Sequence, residues 1–538
     1  MDLFADLVRS NAANMKHFVL DWQRYSRGCH IDSVFSGSIK LRNNFSVDFD
    51  TVNGIDWAQD FSKNRNVNYL WLYSLDYVGI LLDAHSRGCG DKYLDCAITV
   101  VESFCRFYCE SPENKRKVMY LNDTGSSFDH ATSTRSNVLV KYVCSVIGSG
   151  RGLDLEPVIG CLHDAALFMV DDKNYSKSNH GTMTDIALSQ IGVLAGVGSG
   201  IGRVFFEKAN DRLIDSVLRT FDADGFANEN TIGYHRFNMH LFKSVILNFE
   251  GWGVSSRFAD VASPILVKAQ RALQLCVWPD GSIPPIGDSA VYEKAAESIN
   301  ESMAFLESGL AIVKNDDLYV SVICGRRGDA HKQVDDTSIT IRYKNTDIVV
   351  DGGHLGYDRL DPYRKTLESS YGHSGIFPDF VEGAAARVYL EMKSEGEICE
   401  FADCGESVSI VAKISYPDAG YSVVRTVTVV FPNVILIKDS VLSTNEAVST
   451  TQRLLFGDAL TEIGLKGSSQ VSLGNDKLKA VVTFGGANAE VSLHHGMKGK
   501  EPRGWCSKKA GKKDPCYEVV RSLSGGAFEL ETRIEIIE

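Results

Sequence analysis

Four short segments place side chains capable of acid–base or ligand chemistry next to turn signals. Ser178-Asn179-His180-Gly181 precedes an apolar-periodic stretch, Thr182–Leu194. That spacing sets Asn179 and His180 at a helix N-terminus, where exposed N–H groups and the helix dipole favour an anion; equally, Asn179 serves there as a plain N-cap. Asp224-Gly225-Phe226 and Asn228-Glu229-Asn230-Thr231-Ile232-Gly233-Tyr234-His235 form a loop that delivers Tyr234 and His235 to the start of another helix. A phenol and an imidazole there suit proton transfer, or simply aromatic packing at a helix entry. His331-Lys332-Gln333-Val334-Asp335-Asp336-Thr337-Ser338 leads into a strand, Ile339–Tyr343, and taken alone it reads as a solvated turn. The fourth segment joins Asp351-Gly352-Gly353, at the end of an apolar strand, to Tyr371-Gly372-His373-Ser374. Together the four propose a metal or catalytic cluster.

The elements that must position these residues change character along the chain. Through the first ~300 residues the apolar positions recur at spacings of three and four, the signature of amphipathic helices. Examples are Val67–Ala84, a helix capped at Asn210 or Asp211 and running through Leu218, and one opening at Ser263-Pro264 with Ile265, Ala269, Ala272, Leu273 and Cys276 on its buried face. No exact repeat is present; helix follows helix across short polar loops, compatible with stacked helical hairpins. From about residue 310 the period becomes two. Tyr421–Val430 and Val434–Val441 flank Phe431-Pro432-Asn433 as a hairpin, and Phe528, Leu530, Thr532, Ile534 and Ile536 alternate with charged residues. Helices followed by antiparallel strands predict two packed domains, 1–308 and 309–538, rather than an interleaved α/β fold.

Composition narrows the function classes. The chain has 538 residues, 44% hydrophobic and 23% charged, and a net charge of −13 from 56 Lys plus Arg against 69 Asp plus Glu. That balance excludes non-specific nucleic-acid binding but leaves room for a local basic cleft and an anionic ligand. No apolar stretch is long enough to span a membrane. The N-terminus, MDLFADLVRSNAANMKHF, lacks the basic start and apolar run of a secretory leader, so the expectation is a cytoplasmic protein, or a periplasmic one if a leader has been removed. Thirteen scattered cysteines without a CxxC pair read as reduced thiols and not as a disulfide framework or a cysteine zinc site.

Taken in order, SNHG, ENTIGYH, PDGSIPPIGDS (Pro279–Ser289), HKQVDDTSI, VVDGG and YGHS resemble the heparinase II/III and alginate-lyase-like family of polysaccharide lyases, over roughly residues 120–380. The resemblance implies an N-terminal incomplete (α/α) toroid and a C-terminal antiparallel β-sandwich, with the active site between them. It implies cleavage of an acidic, uronate-containing polysaccharide or oligosaccharide by β-elimination, leaving an unsaturated uronate end. Asn179 and His180 match the pair that contacts the substrate carboxylate, Tyr234 the catalytic tyrosine, and His331 the catalytic histidine. Asp129-His130-Ala131-Thr132-Ser133-Thr134-Arg135 resembles a segment lining the cleft, so His130 and Arg135 join His235 and Arg364 as substrate-binding candidates. Asp351 and His373 match two ligands of a structural zinc, while Gln333 stands where the family has its third, a histidine. An amide is a poor zinc ligand, so the expectation is weak or no zinc, no cofactor requirement, and a hydrogen-bonded Asp351–His373 pair bracing the site. Either Tyr234 or His331 serves as the base. Two other readings stay open: a glycoside hydrolase using two of Glu229, Asp185 and Asp288, and a non-catalytic glycan-binding relative. The identity of the glycan, endo or exo cleavage, and the oligomeric state are not encoded legibly.

Overall fold

The computed structural model describes residues 2–538 except 16–30, 43–44, 63, 121–127, 199, 357 and 359. The chain forms two compact units, one comprising Met1–Leu218 with Leu241–Pro264, the other Arg219–His240 with Ile265–Glu538. The first strand of the C-terminal part, Met303–Phe305, marks the change from helices to sheets. The segments carrying Tyr234 and Asp288 therefore belong to the same compact unit as the sheets.

The first unit is built from helices, among them Asp91–Glu110, Asp129–Gly148, Glu156–Val170 and Asn179–Leu194. Their apolar faces meet in one core that includes Leu94, Phe104, Val138, Tyr142, Leu162 and Ile191. Several sequence expectations change in detail. Val67–Ala84 is two helices, Arg65–Tyr73 and Asp76–Ser86, broken where Leu75 adopts φ +56°. Asn210 and Asp211 lie inside the helix Gly200–Thr220 and do not begin it. The buried Asn210 side chain instead accepts from the Ser256 hydroxyl and the Phe258 N–H, reinforcing the local Ser256 cap of a later helix, Arg257–Cys276. That earlier cap puts Pro264 in the helix interior, where the Ser263 hydroxyl donates to the Ala259 carbonyl at 2.7 Å. None of the described helices is long and apolar enough to cross a membrane.

The second unit contains an eight-stranded, a five-stranded and a four-stranded antiparallel sheet. Strict alternation drives them: Tyr421–Val430 buries every second residue against the core, and Ala527–Ile537 buries Leu530, Thr532, Ile534 and Ile536. The hairpin expected across Phe431-Pro432-Asn433 is formed, with Val430 opposite Val434. Apolar side chains from all three sheets share one core, including Val320, Ile341, Phe377, Val423, Val427, Ile437 and Ile534.

One buried ion pair reaches from this core to the loops. Arg425, fully buried, donates to both carboxylate oxygens of Asp439, at 2.6 and 2.7 Å. Its third nitrogen donates to the carbonyls of Thr337 at 2.6 Å and Ser374 at 3.3 Å, next to two of the segments singled out by sequence. Removing one partner of such a pair strands a buried charge, whereas removing both does not. Arg425→Leu is expected to lose about 3–5 kcal/mol in denaturant unfolding, and Arg425→Leu with Asp439→Leu clearly less. Equal losses in the two variants would contradict that role.

Candidate active-site residues

In the sheet-bearing unit three loops are laced around one carboxylate. Asn230, at φ +57°, donates through Nδ2 to the carbonyls of Gly328 (2.7 Å) and Ala330 (2.9 Å), which tie the loop before Tyr234 to the residue preceding His331. The Gly233 N–H donates to the Ser289 hydroxyl at 2.8 Å, linking the same turn to the Pro279–Ser289 segment. Tyr234 lies in the first turn of the helix Ile232–Gly251, its N–H donating to the Thr231 hydroxyl at 3.1 Å. Asp288 then accepts from His331 Nδ1 at 2.9 Å, Gln333 Nε2 at 2.7 Å and His354 Nδ1 at 3.4 Å. Burial works against its charge, yet His331 and His354 hold the carboxyl well below the usual carboxylate range.

This geometry fixes the chemistry of His331. A carboxylate only accepts, so Nδ1 carries the proton and the neutral imidazole has its lone pair on Nε2. Nε2 lies 3.8 Å from Glu229 Oε2, and the ring stacks on Tyr234 with centroids 3.5 Å apart. His331 itself sits at φ +59°, a region costly for any residue but glycine and frequently occupied at functional sites. The segment behind it holds it there. Read from sequence as a solvated turn, it is buried: Lys332 Nζ contacts Asp335 at 2.6 Å, Asp336 at 3.0 Å and the Gly325 carbonyl at 3.0 Å. The i, i+3 and i+4 spacing lets one lysine offset part of the charge of two buried carboxylates, and the Gly325 N–H and the Tyr389 hydroxyl donate to Asp336 as well, which is why the run tolerates burial. Thr337, also left-handed at φ +68°, is pinned by the Ile376 N–H donating to its hydroxyl at 3.0 Å.

His235 is not a ligand-binding residue. It is fully buried, stacked on Phe226 at 4.9 Å, with Nδ1 accepting from the Ala227 N–H at 3.2 Å and Nε2 donating to the Ala269 carbonyl at 2.9 Å. Burial pushes its pKa down to about 4, so it supplies no positive charge to depress the neighbouring Tyr234 phenol. Arg364, half-buried, donates to Glu368 at 2.6 Å one helical turn on.

In the helical unit, the helix Asn179–Leu194 starts at Asn179, and its cap is Ser178, whose hydroxyl accepts from the His180 N–H at 3.2 Å. Asn179 is thereby spared the capping role and lies in the first turn. Gly181 is required: a Cβ there would come within 1.8 Å of the Ser176 carbonyl oxygen. The exposed His180 ring meets Asp129 at 3.3 Å, and this partner keeps the Asp129 pKa lowered although burial opposes it. His130 packs between His180 (5.2 Å) and Trp71 (5.6 Å); burial, then the His180 charge, push its pKa down to about 4. Arg135 departs from the expected carboxylate-binding role. It is buried, donating to the Tyr73 carbonyl at 2.8 Å and the Thr132 hydroxyl at 3.2 Å, because its helix faces the core along most of its length.

The zinc ligands implied by the resemblance do not assemble into a donor set. His373 Nδ1 and Asp351 Oδ2 are 2.9 Å apart, the pair anticipated from sequence. The other Asp351 oxygen accepts from the Gly287 and Gly353 N–H groups, and Gln333 turns its amide to Asp288. Among the described residues no group of three or more His, Cys, Asp or Glu side chains suits a metal ion. Burial opposes charge on His373, but Asp351 overrides it and raises the pKa. As for paired hydrolase acids, Asp185 is buried and held by Tyr175 at 2.9 Å and Arg212 at 3.5 Å, with burial raising its pKa to about 8. Glu229 and Asp288 flank one imidazole. Sequence reading weighed Asp288 only as such an acid and missed His354 altogether.

Comparison with known proteins adds a match for the C-terminal domain and the fold. Residues 300–535 match the heparinase II/III-like C-terminal family. Among solved structures, a heparinase III superposes with a TM-score of 0.74 at 14% identity, covering 98% of this chain and 86% of the other. The heparan sulfate lyase HepC of Pedobacter heparinus gives 0.68 at 13% identity, covering 100% and 88%. A comparison with curated proteins finds no match. The fold is therefore that of these proteins, a helical (α/α) toroid domain followed by an antiparallel β-sandwich.

The buried His235 makes a pH prediction. With a folded pKa of about 4 against 6.5 in the unfolded chain, its stabilising effect is complete above pH 6.5 and is lost as pH falls towards 4. The loss is about 3 kcal/mol over that window. Urea melts at stepped pH should show the decline, and His235→Gln should flatten it; an unchanged slope would contradict the assignment.

Proposed function

We propose, on the premise that residues 300–535 form a heparinase II/III-like C-terminal domain in a chain of heparinase III fold, that this protein is a polysaccharide lyase. Its substrate is a uronate-containing glycan, cleaved by β-elimination. The observation that carries the reading is the His331 imidazole, held by Asp288 through Nδ1 and stacked on Tyr234. A hydrolase needs two separated carboxylic acids acting on the scissile bond, and a binding protein needs no oriented base.

The reaction removes the weakly acidic proton on C5 of the uronate and expels the oxygen on C4, forming the C4–C5 double bond. His331 Nε2 takes the C5 proton; the imidazolium that forms keeps its Nδ1–H on Asp288, with Glu229 nearby to stabilise the charge. Tyr234 donates its phenolic proton to the leaving oxygen. The family resemblance assigns the uronate carboxylate to Asn179 and His180, and hydrogen bonding to that carboxylate stabilises the developing enolate; one such donor is worth about 3–4 kcal/mol in a measured case. No step requires zinc. The names of the structural neighbours, a heparinase and a heparan sulfate lyase, support an acidic glycan as substrate.

Incubation with a panel of uronate polymers, followed by ultraviolet absorbance of the unsaturated product, tests the proposal. One substrate should give a rising signal, and Tyr234→Phe and His331→Ala should each cut the rate by about 10²–10⁴. New reducing ends without absorbance would indicate a hydrolase instead.

A further inference from the structure

The chain is acidic overall, yet residues 497–515 carry seven cations (Lys498, Lys500, Arg503, Lys508, Lys509, Lys512, Lys513) against two acids, Glu501 and Asp514. Three of the cations are occupied: Arg503 donates to Glu518 at 2.7 Å, and Lys508 contacts both Asp347 and Asp458 at 2.6 Å. Lys512 reaches Asp514 at 3.3 Å. Among the described residues, Lys498, Lys500 and Lys509 are exposed without an ion-pair partner.

The strands Trp505–Lys509 and Lys512–Pro515 pair so that Lys509 lies directly opposite Lys512. Like charges facing each other across a hairpin destabilise it, so folding gives no reason to gather lysines at this turn. Aromatic rings stand beside them. Tyr363 meets Trp505 edge-to-face at 5.2 Å, and Lys513 Nζ lies 4.1 Å from the centre of the Tyr363 ring. A planar ring beside ammonium groups suits a sugar face bearing anionic substituents.

The hairpin is also registered to the loops around Asp288. The Ser507 N–H donates to the Gly352 carbonyl at 2.9 Å, and its hydroxyl to the His354 carbonyl at 3.0 Å. The Lys508 carbonyl accepts from the Val291 N–H at 2.9 Å, three residues beyond Asp288. His354 in turn contacts Asp288. The basic turn is thus braced by the same backbone that holds His331.

We propose that this hairpin, with Lys498 and Lys500, is a binding subsite for anionic groups on sugar units flanking the one cleaved. The inference rests on the lyase reading for the meaning of "cleaved", but its binding test does not. Glycan is favoured over nucleic acid because the aromatic pair and the tie to the Asp288 loops belong to a sugar site, while the rest of the chain is acidic.

The test uses the full chain carrying Tyr234→Phe, which blocks turnover, titrated at about 50 and about 200 mM salt. The probes are a sulfated glycosaminoglycan oligosaccharide, an unsulfated uronate oligomer of equal length, and a short DNA duplex. The sulfated probe should bind at least about tenfold tighter than the other two. Lys498→Gln, Lys500→Gln and Lys509→Gln together should remove most of that advantage and flatten the salt dependence. A control removing three cations from another edge, Lys466→Gln, Lys477→Gln and Lys479→Gln, should leave it intact. Equal loss in the two triple variants, no loss in the hairpin variant, no binding of the sulfated probe, or equal binding of the duplex would each overturn the subsite. Hairpin-dependent binding without any ultraviolet signal in the wild type would overturn the lyase reading and leave the subsite standing. Activity with hairpin-independent binding would do the reverse.

Discussion

The charge on Asp288 is the constraint on which the rest of the site depends. A nearly buried carboxylate stays ionised only if it is surrounded by donors, and this one has three, from His331, Gln333 and His354. They come from two parts of the chain: His331 and Gln333 from the loop after Gly325, and His354 from the turn after the strand Thr346–Val349. Satisfying one anion therefore helps to set the relative placement of these loops, together with the backbone and side-chain ties of Asn230, Gly233 and Gly287. It also determines which nitrogen of His331 is basic. Gln333, which the family resemblance matches to a metal-binding histidine, is part of the same arrangement, because it spends its amide on Asp288.

Holding His331 at a left-handed backbone angle requires rigidity behind it. Two buried ionic groups provide this: the Lys332, Asp335 and Asp336 cluster, and Arg425 with Asp439, whose guanidinium clasps the carbonyls of Thr337 and Ser374. Both are built from charges that a purely hydrophobic core would exclude. Their presence deep in a sandwich is consistent with a structure in which strand alternation supplies the bulk of the stability and a few polar contacts decide where loops go.

Much of this was legible in the sequence because it depends on local rules. Period-two alternation in Tyr421–Val430 and Ala527–Ile537 survives in the structure nearly residue for residue, since each strand has one face on the core. Tyr234 at a helix start and Asn179 and His180 at another follow from turn signals and residue type, and the Asp351–His373 pair was implied by the family resemblance. What failed depends on long-range contact. His235 and Arg135 carry polar groups that usually mark a site, but Ala227, Ala269 and Tyr73 satisfy them inside the core. The helix Arg257–Cys276 is capped by Ser256, but the Asn210 side chain that holds this cap lies 46 residues away, and no local pattern announces that contact. The HKQVDDTS run looks solvated for the same reason: its carboxylates are compensated only once the chain curls Lys332 over Asp335 and Asp336 and Gly325 and Tyr389 donate to Asp336. His354 directly follows the Asp351-Gly352-Gly353 turn, but nothing local marks it as a partner of Asp288.

The protonation state of His331 tests the account most directly. In protein labelled with ¹⁵N-histidine, with the His331 signals identified by their loss in His331→Gln, the nitrogen shifts report which ring nitrogen carries the proton. Asp288 requires the proton on Nδ1 and a lone pair on Nε2 in the neutral ring, and Asp288→Leu should abolish that preference. A neutral ring protonated on Nε2, or a tautomer indifferent to Asp288, would contradict the assignment of His331 as the oriented base.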